Sequence, residues 1–185
     1  MCVDASVFGC CAGGTKVPEK KGGFRENPEN ESRGVIKGKA KEGGKRKMDS
    51  EALLALFEAT LLALVEVDDP ATKARLMHRL IRTVPEGERA LDVQDLLRDA
   101  GVFDCALGVL ASSLGTLDPS DEDRTDVVET ACALIRAATD GNRASQAAAN
   151  AAGLGPILID LERNGLTKFI RSAAGAALIG MDGAQ

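Results

Sequence analysis

Apolar residues recur every three to four positions through most of residues 50–181, which is the spacing of amphipathic helices. No stretch alternates apolar and polar residues as a half-buried strand would. The pattern therefore predicts an all-α chain, with helices over 51–67, 71–84, 88–99, 102–114, 125–139 and 167–181, and two more inside 142–164.

The segment 142–164 shows how these helices are punctuated. A short helical run ends at Ala152-Gly153, and Pro156 follows three residues later. Glycine permits backbone angles that other residues resist, and proline fits the first turn of a helix because its missing N–H is not needed there. We therefore expect a short helix, a sharp turn, and a second helix opened by Pro156.

Similar features recur at intervals of about 44–54 residues. An acidic loop at 117–123 adds about ten residues to the longer intervals, so a single period of about 44 explains them all. Such a period, with two or three helices in each unit, is typical of helical solenoids. The recurring pairs are Ala100-Gly101 with Ala152-Gly153, Leu80-Ile-Arg82 with Leu134-Ile-Arg136, and Cys132-Ala-Leu134 with Ala176-Ala-Leu178.

These features resemble the armadillo repeat. The segment 142–161 is similar to the short first helix, Ala-Gly break and Pro-opened second helix of that family, and 127–134 and 170–178 are similar to its long third helix. The resemblance implies a right-handed α-solenoid, with HEAT-type repeats or an irregular α-α superhelix as alternatives. It covers about residues 69–181, with complete units at 88–139 and 143–181 and a partial unit at 51–84.

The resemblance also implies where a partner would bind. Armadillo proteins commonly hold an extended peptide in a groove lined by third helices, using Trp and Asn four residues apart in the importin-like members. The aligned positions here hold other residues, so a carrier role for nuclear-localisation peptides does not transfer. Two of the aligned positions hold Arg82 and Arg136, which can face an acidic protein partner because guanidinium pairs well with carboxylates. The candidate groove residues are His78, Arg82, Cys132 and Arg136, and Ala176 and Gly180 follow in the last unit.

The composition supports closely packed helices. Aromatic residues make up only 3% of the chain, so Ala and Leu must fill the core. The charge is uneven: residues 1–48 hold 11 Lys/Arg and 6 Asp/Glu, whereas residues 49–185 hold 12 and 22. An acidic body argues against nucleic-acid binding. We predict a disordered basic tail over 1–48 and a helical domain over 49–185.

The five cysteines bear on compartment and anchoring. Their odd number and the lack of a secretory signal fit a reducing compartment, so we expect the cytoplasm, with the nucleus as the alternative. Cys10 and Cys11 are candidates for S-acylation, which the basic run 37–47 could support on an acidic membrane. A membrane-surface-anchored scaffold is thus the alternative function.

Residues suited to catalysis or metal binding are few. His78 is the only histidine, so no zinc site is indicated. Asp118, Ser120, Glu122 and Glu129 have the spacing of calcium ligands, but Pro119 and Asp123 occupy positions unsuited to a calcium loop. We expect no metal, no cofactor and no enzymatic activity.

A non-enzymatic interaction module, acting as an adaptor or as a subunit of a larger assembly, is the function predicted first. Solenoids usually need about three repeats with polar caps. The last helix carries no recognisable cap, so we expect 167–181 to expose an apolar edge that a second copy, a partner or part of the tail covers.

Overall fold

A computed structural model describes residues 49–115 and 118–182, all of which belong to one compact unit, 45–185. These residues form helices and turns without any strand, so the all-helical prediction is confirmed for this part of the chain. The helices are α1 Ser50–Glu66, α2 Pro70–Thr83, α3 Arg89–Asp99, α4 Val102–Leu114, α5 Glu122–Thr139, α6 Arg143–Ala151, α7 Leu154–Asn164 and α8 Lys168–Asp182. The predicted disorder of 1–48 lies outside the described residues.

Two helices begin two or more residues earlier than the sequence pattern predicted. α5 begins at Glu122 because the side chain of Asp121 accepts a hydrogen bond from the Arg124 backbone N–H at 3.1 Å and caps the helix there. α7 begins at Leu154, so Pro156 lies within its first turn and does not open it. Acidic residues assigned to the loop thus belong to the first turn of α5, where the helix dipole favours them.

Two glycines make equivalent turns, 52 residues apart. Gly101 joins α3 to α4 with a φ of 87°, and Gly153 joins α6 to α7 with a φ of 83°. Both lie in the left-handed region, which glycine adopts without the steric cost that a Cβ adds. The predicted pairing of Ala100-Gly101 with Ala152-Gly153 is therefore repeated in backbone conformation.

α5 lies at the centre of the helical packing. It contacts α2 on one side and α8 on the other, while α4 packs on α5 and α7 packs on α8. α3 contacts α1, α5 and α6. The three helices that end the three predicted units, α2, α5 and α8, therefore form a row with α5 in the middle.

Leu and Ala are the commonest residues of the core, as the composition predicted, and Val and Ile also contribute to it. On α5, five apolar residues at helical spacing are buried: Val128, Ala131, Cys132, Leu134 and Ile135. Among the described residues, neighbouring helices cover only one side of α1. Phe57, Leu61 and Leu64 are buried, whereas Leu56, Leu62 and Val65, which lie around the rest of the helix, are exposed.

Two buried glutamines connect the short helices α3 and α6 to the carboxyl ends of α5 and α8. Gln94 of α3 donates its amide to the backbone oxygens of Ala137 and Asp140, at 2.8 and 2.9 Å. Gln146 of α6 donates to Thr139 and Gly180, at 3.2 and 2.9 Å. The last carbonyls of a helix lack intrahelical donors, so these amides satisfy groups that would otherwise be costly to bury.

Candidate functional site

The exposed side of α2 is strongly basic. Asp69 begins the helix by accepting the backbone N–H of Thr72 at 2.9 Å, and the bonds from Thr72 lower the pKa of the Asp69 carboxyl. The helix contains no acidic residue, and it buries Ala74, Met77 and Leu80 on its core side. Its solvent-facing residues are Arg75, His78, Arg79 and Arg82. We call these four residues the α2 basic face.

His78 links this face to α5. Its Nε2 lies 3.4 Å from Oγ1 of Thr130, and the same hydroxyl donates to Oδ1 of Asp126 at 3.2 Å. The imidazole is exposed, so this contact is a bridge between neighbouring helices and not part of an enclosed site. His78 therefore lies beside α5.

Arg82 and Arg136 occupy corresponding positions near the ends of α2 and α5, and both are exposed. Among the described residues, no acidic group lies within ion-pair distance of either guanidinium. The ion pairs found in this part of the chain are formed by Arg98 and Arg124. A Cβ built on Gly180 of α8 would lie 3.3 Å from Cγ of Arg136. The stem of Arg136 is thus packed against α8, while its charge has no partner among the described residues.

Cys132 does not belong to this surface, which corrects its assignment to the groove. The residue is fully buried, because α5 turns this side towards the core. Burial, with a smaller contribution from Glu129, raises the pKa of the Cys132 thiol to about 12. Burial also raises the pKa of Cys105, whose Sγ lies 3.8 Å from the Leu61 carbonyl oxygen. Both thiols are protonated at neutral pH.

The acidic segment before α5 has its own local hydrogen bonds. Oδ1 of Asp118 accepts the backbone N–H and the hydroxyl of Ser120, at 2.9 and 2.7 Å. Glu122 lies in the first turn of α5. In the described part of the chain, no group of three or more His, Cys, Asp or Glu is placed to hold a metal ion. The segment forms a turn followed by a capped helix.

Sequence reasoning missed two members of the basic face, Arg75 and Arg79. The signal was present, because residues 75, 78, 79 and 82 recur at the three- and four-residue spacing of one helical face. The apolar edge expected on 167–181 had not been assigned to particular side chains of α8. Phe169 is 71% exposed and Ile179 is 74% exposed.

The candidate acylation sites Cys10 and Cys11 and the basic run 37–47 lie outside the described residues, so they stay predictions. None of the described helices combines the length and apolar character needed to cross a membrane. We compared the chain with protein-family models, curated proteins and solved structures, and nothing matched.

Proposed function

We propose that this chain is a non-enzymatic protein-interaction module, built as a short armadillo-like stack, that holds an acidic segment of a partner protein across α2 and α5. The stack assignment is supported by the row of α2, α5 and α8 and by the equivalent turns at Gly101 and Gly153. Stacked helical units give the module an extended surface on which a linear segment can lie.

The observation that carries the choice of partner is the α2 basic face together with Arg136. The arginines of this set lie on two packed helices, and none of them forms an ion pair within the described residues. Residues 49–185 are acidic as a whole, with 12 Lys/Arg against 22 Asp/Glu, so this cluster contrasts with its surroundings. A cluster of one charge sign on a surface of the other favours a partner of complementary charge.

The geometry suits an extended acidic segment. Packed helices lie about 8–10 Å apart. Two carboxylates that are two or three residues apart in an extended segment have a similar separation, so one can reach Arg82 and the other Arg136. Guanidinium groups bind carboxylates through paired, charge-assisted hydrogen bonds. Because the site is open to solvent, salt should weaken binding strongly.

The test measures binding of a fluorescein-labelled, extended peptide with Glu at every second position, against the same peptide with Gln. At low salt, full-length wild-type protein should bind the Glu peptide more tightly than the Gln peptide, as measured by fluorescence anisotropy. Replacing both arginines, Arg82→Glu with Arg136→Glu, should reduce the affinity at least about tenfold, because each loses a charge-assisted bond and adds repulsion.

The matched control is Arg143→Glu with Arg163→Glu, two exposed arginines on α6 and α7. It changes the net charge by the same amount, and it should alter the affinity less than about twofold if the site is local. If the two double variants lost affinity for the Glu peptide equally, overall charge would explain the effect, and the proposed site would be contradicted. Equal binding of the Glu and Gln peptides would contradict the proposed partner chemistry.

A further inference from the structure

The exposed side of α8 is apolar and has a symmetrical arrangement. Phe169, Ser172, Ala176 and Ile179 follow one another at intervals of three, four and three residues, and they form one stripe along the helix. Phe169 and Ile179, at its two ends, are the most exposed large apolar residues in the described part of the chain. The middle of the stripe consists of small side chains, which would let another helix approach closely.

We propose that this stripe binds the same stripe of a second copy of the chain, with the two α8 helices antiparallel about a two-fold axis at the level of Ala174. Residues 169 and 179 are equally distant from residue 174, and so are residues 172 and 176. In an antiparallel pair, Phe169 therefore meets Ile179 of the second copy, and Ser172 meets Ala176. Both ends of the interface then bury one large side chain from each copy.

The charges at the ends of α8 favour the same arrangement. Lys168 is the first residue of the helix and Asp182 is the last, and both are exposed. On a helical wheel they lie on the same flank of the stripe, and same-flank residues face each other in antiparallel helix pairs. Each Lys168 thus lies near Asp182 of the second copy, whereas in a parallel pair these two residues would be at opposite ends of the interface and could not pair.

A second copy is favoured over other occupants because the stripe is complementary to itself. Closed two-fold dimers are the commonest homo-oligomers, and their interfaces use one patch twice. Helix α1 offers another exposed apolar surface, formed by Leu62 and Val65. A contact between α8 and α1 would be head-to-tail, and nothing would limit it to two copies.

The interface is small. Helix α8 has 15 residues and is therefore about 22 Å long, so one helix pair falls in the range of weak interfaces. We expect a dissociation constant of roughly 1–100 µM. This inference does not depend on the proposed function, because the stripe and the α2 basic face lie on different helices. Phe169→Glu should abolish dimerisation and leave anisotropy binding of the Glu peptide unchanged.

Sedimentation velocity of the full-length chain over a range of concentrations tests the proposal. The wild type should change from monomer to dimer with a midpoint in the micromolar range, and Phe169→Glu or Ile179→Glu should remain monomeric. Leu62→Glu on α1 is the matched control, and it should dimerise like the wild type. A wild type that is monomeric throughout, or an equal loss of dimer in Leu62→Glu, would overturn the proposal.

A charge exchange tests the antiparallel arrangement. Lys168→Asp alone and Asp182→Lys alone should each weaken the dimer about two- to fivefold, as expected for exposed ion pairs. The variant with both changes should regain the wild-type affinity. Residues 168 and 182 are 14 residues apart in one helix, about 21 Å, so they cannot pair within one copy. Additive losses in the double variant would contradict the antiparallel pairing.

Discussion

Helices α2 and α8 both pack against α5, but they present opposite kinds of surface to solvent. The exposed side of α2 has three arginines and a histidine, whereas that of α8 has Phe169 and Ile179 at the ends of a stripe of small residues. A charged surface is stable in water without a partner. An exposed apolar surface gains free energy when it is covered. Similar helices in one row can therefore have different interaction chemistry.

The contacts of the two helices with α5 differ as well. The described contacts between α2 and α5 include the His78–Thr130 bridge, with large buried residues such as Met77 nearby. Between α8 and α5, Gly180 lies so close that an added Cβ would be 3.1 Å from Oγ1 of Thr139. The α8 contact therefore depends on small residues, and we expect it to tolerate added volume poorly.

The largest effect on the free energy of unfolding should come from truncating a side chain on the buried side of α8, compared with one on its exposed side. Ile170 is fully buried and Phe169 is mostly exposed, although they are neighbours in sequence. Ile170→Ala should lower the free energy of unfolding by about 2–5 kcal/mol, because it removes packed methyl groups and leaves a cavity. Phe169→Ala should change it by less than about 0.5 kcal/mol under conditions where the chain is monomeric.

Urea denaturation followed by circular dichroism at low protein concentration measures both variants. If Phe169→Ala destabilised the monomer as much as Ile170→Ala, the assignment of an exposed side to α8 would be wrong.

A smaller effect should distinguish the two contacts with α5. Gly180→Val should cost about 1–3 kcal/mol, because the new side chain meets the α5 backbone and Thr139 and forces the helices apart. Arg82→Val, at the position of α2 that aligns with Gly180, should stay within about 0.5 kcal/mol because that position is exposed.

Gly108→Ala serves as the control for glycine replacement itself. Gly108 lies inside α4, and nothing lies within 4 Å of an added Cβ. This variant should be more stable than the wild type by about 0.5–1 kcal/mol, because alanine favours the helix. A neutral Gly180→Val would show that α8 does not require its close approach to α5.

The smallest predicted effect depends on pH and concerns the acidic half of α5. Burial, followed by the nearby carboxylate of Asp126, raises the pKa of Glu129, while a hydrogen bond from Thr167 opposes the shift. The folded state therefore holds this proton to a higher pH than the unfolded state. The stability gained from protonation is present below the unfolded-state pKa and is lost as the pH rises through the folded-state pKa.

Glu129→Gln should consequently be more stable than the wild type at pH 7, by about 0.3 kcal/mol given the partial exposure of the carboxylate. This gain should vanish below about pH 4, where both states are protonated. Glu122→Gln, which removes a favourable charge from the first turn of α5, should lower the stability at pH 7. A gain for Glu129→Gln that persists unchanged at low pH would contradict the assigned cause.

Much of the local structure could be predicted from the sequence because its causes are local. α4 has the predicted boundaries, and the inward residues of α5 follow from helical periodicity. The predicted starts of α5 and α7 were wrong, because the start of α5 depends on the Asp121 cap and that of α7 on the turn at Gly153. Arg82 and Arg136 are exposed as the groove requires, whereas Cys132 is not.

The sequence by itself determined that this part of the chain is helical, where its main turns fall, and which arginines recur at a fixed interval. Periodicity, capping and glycine conformation act over a few residues, so they can be recognised in a single chain. Periodicity indicates the inward side of α5, but only the tertiary structure decided which individual apolar and charged side chains stay in solvent. Neighbouring helices bury Cys132 and Ile170, but they leave the α2 basic face and Phe169 in solvent. Burial depends on the packing of helices distant in sequence, which no local pattern records.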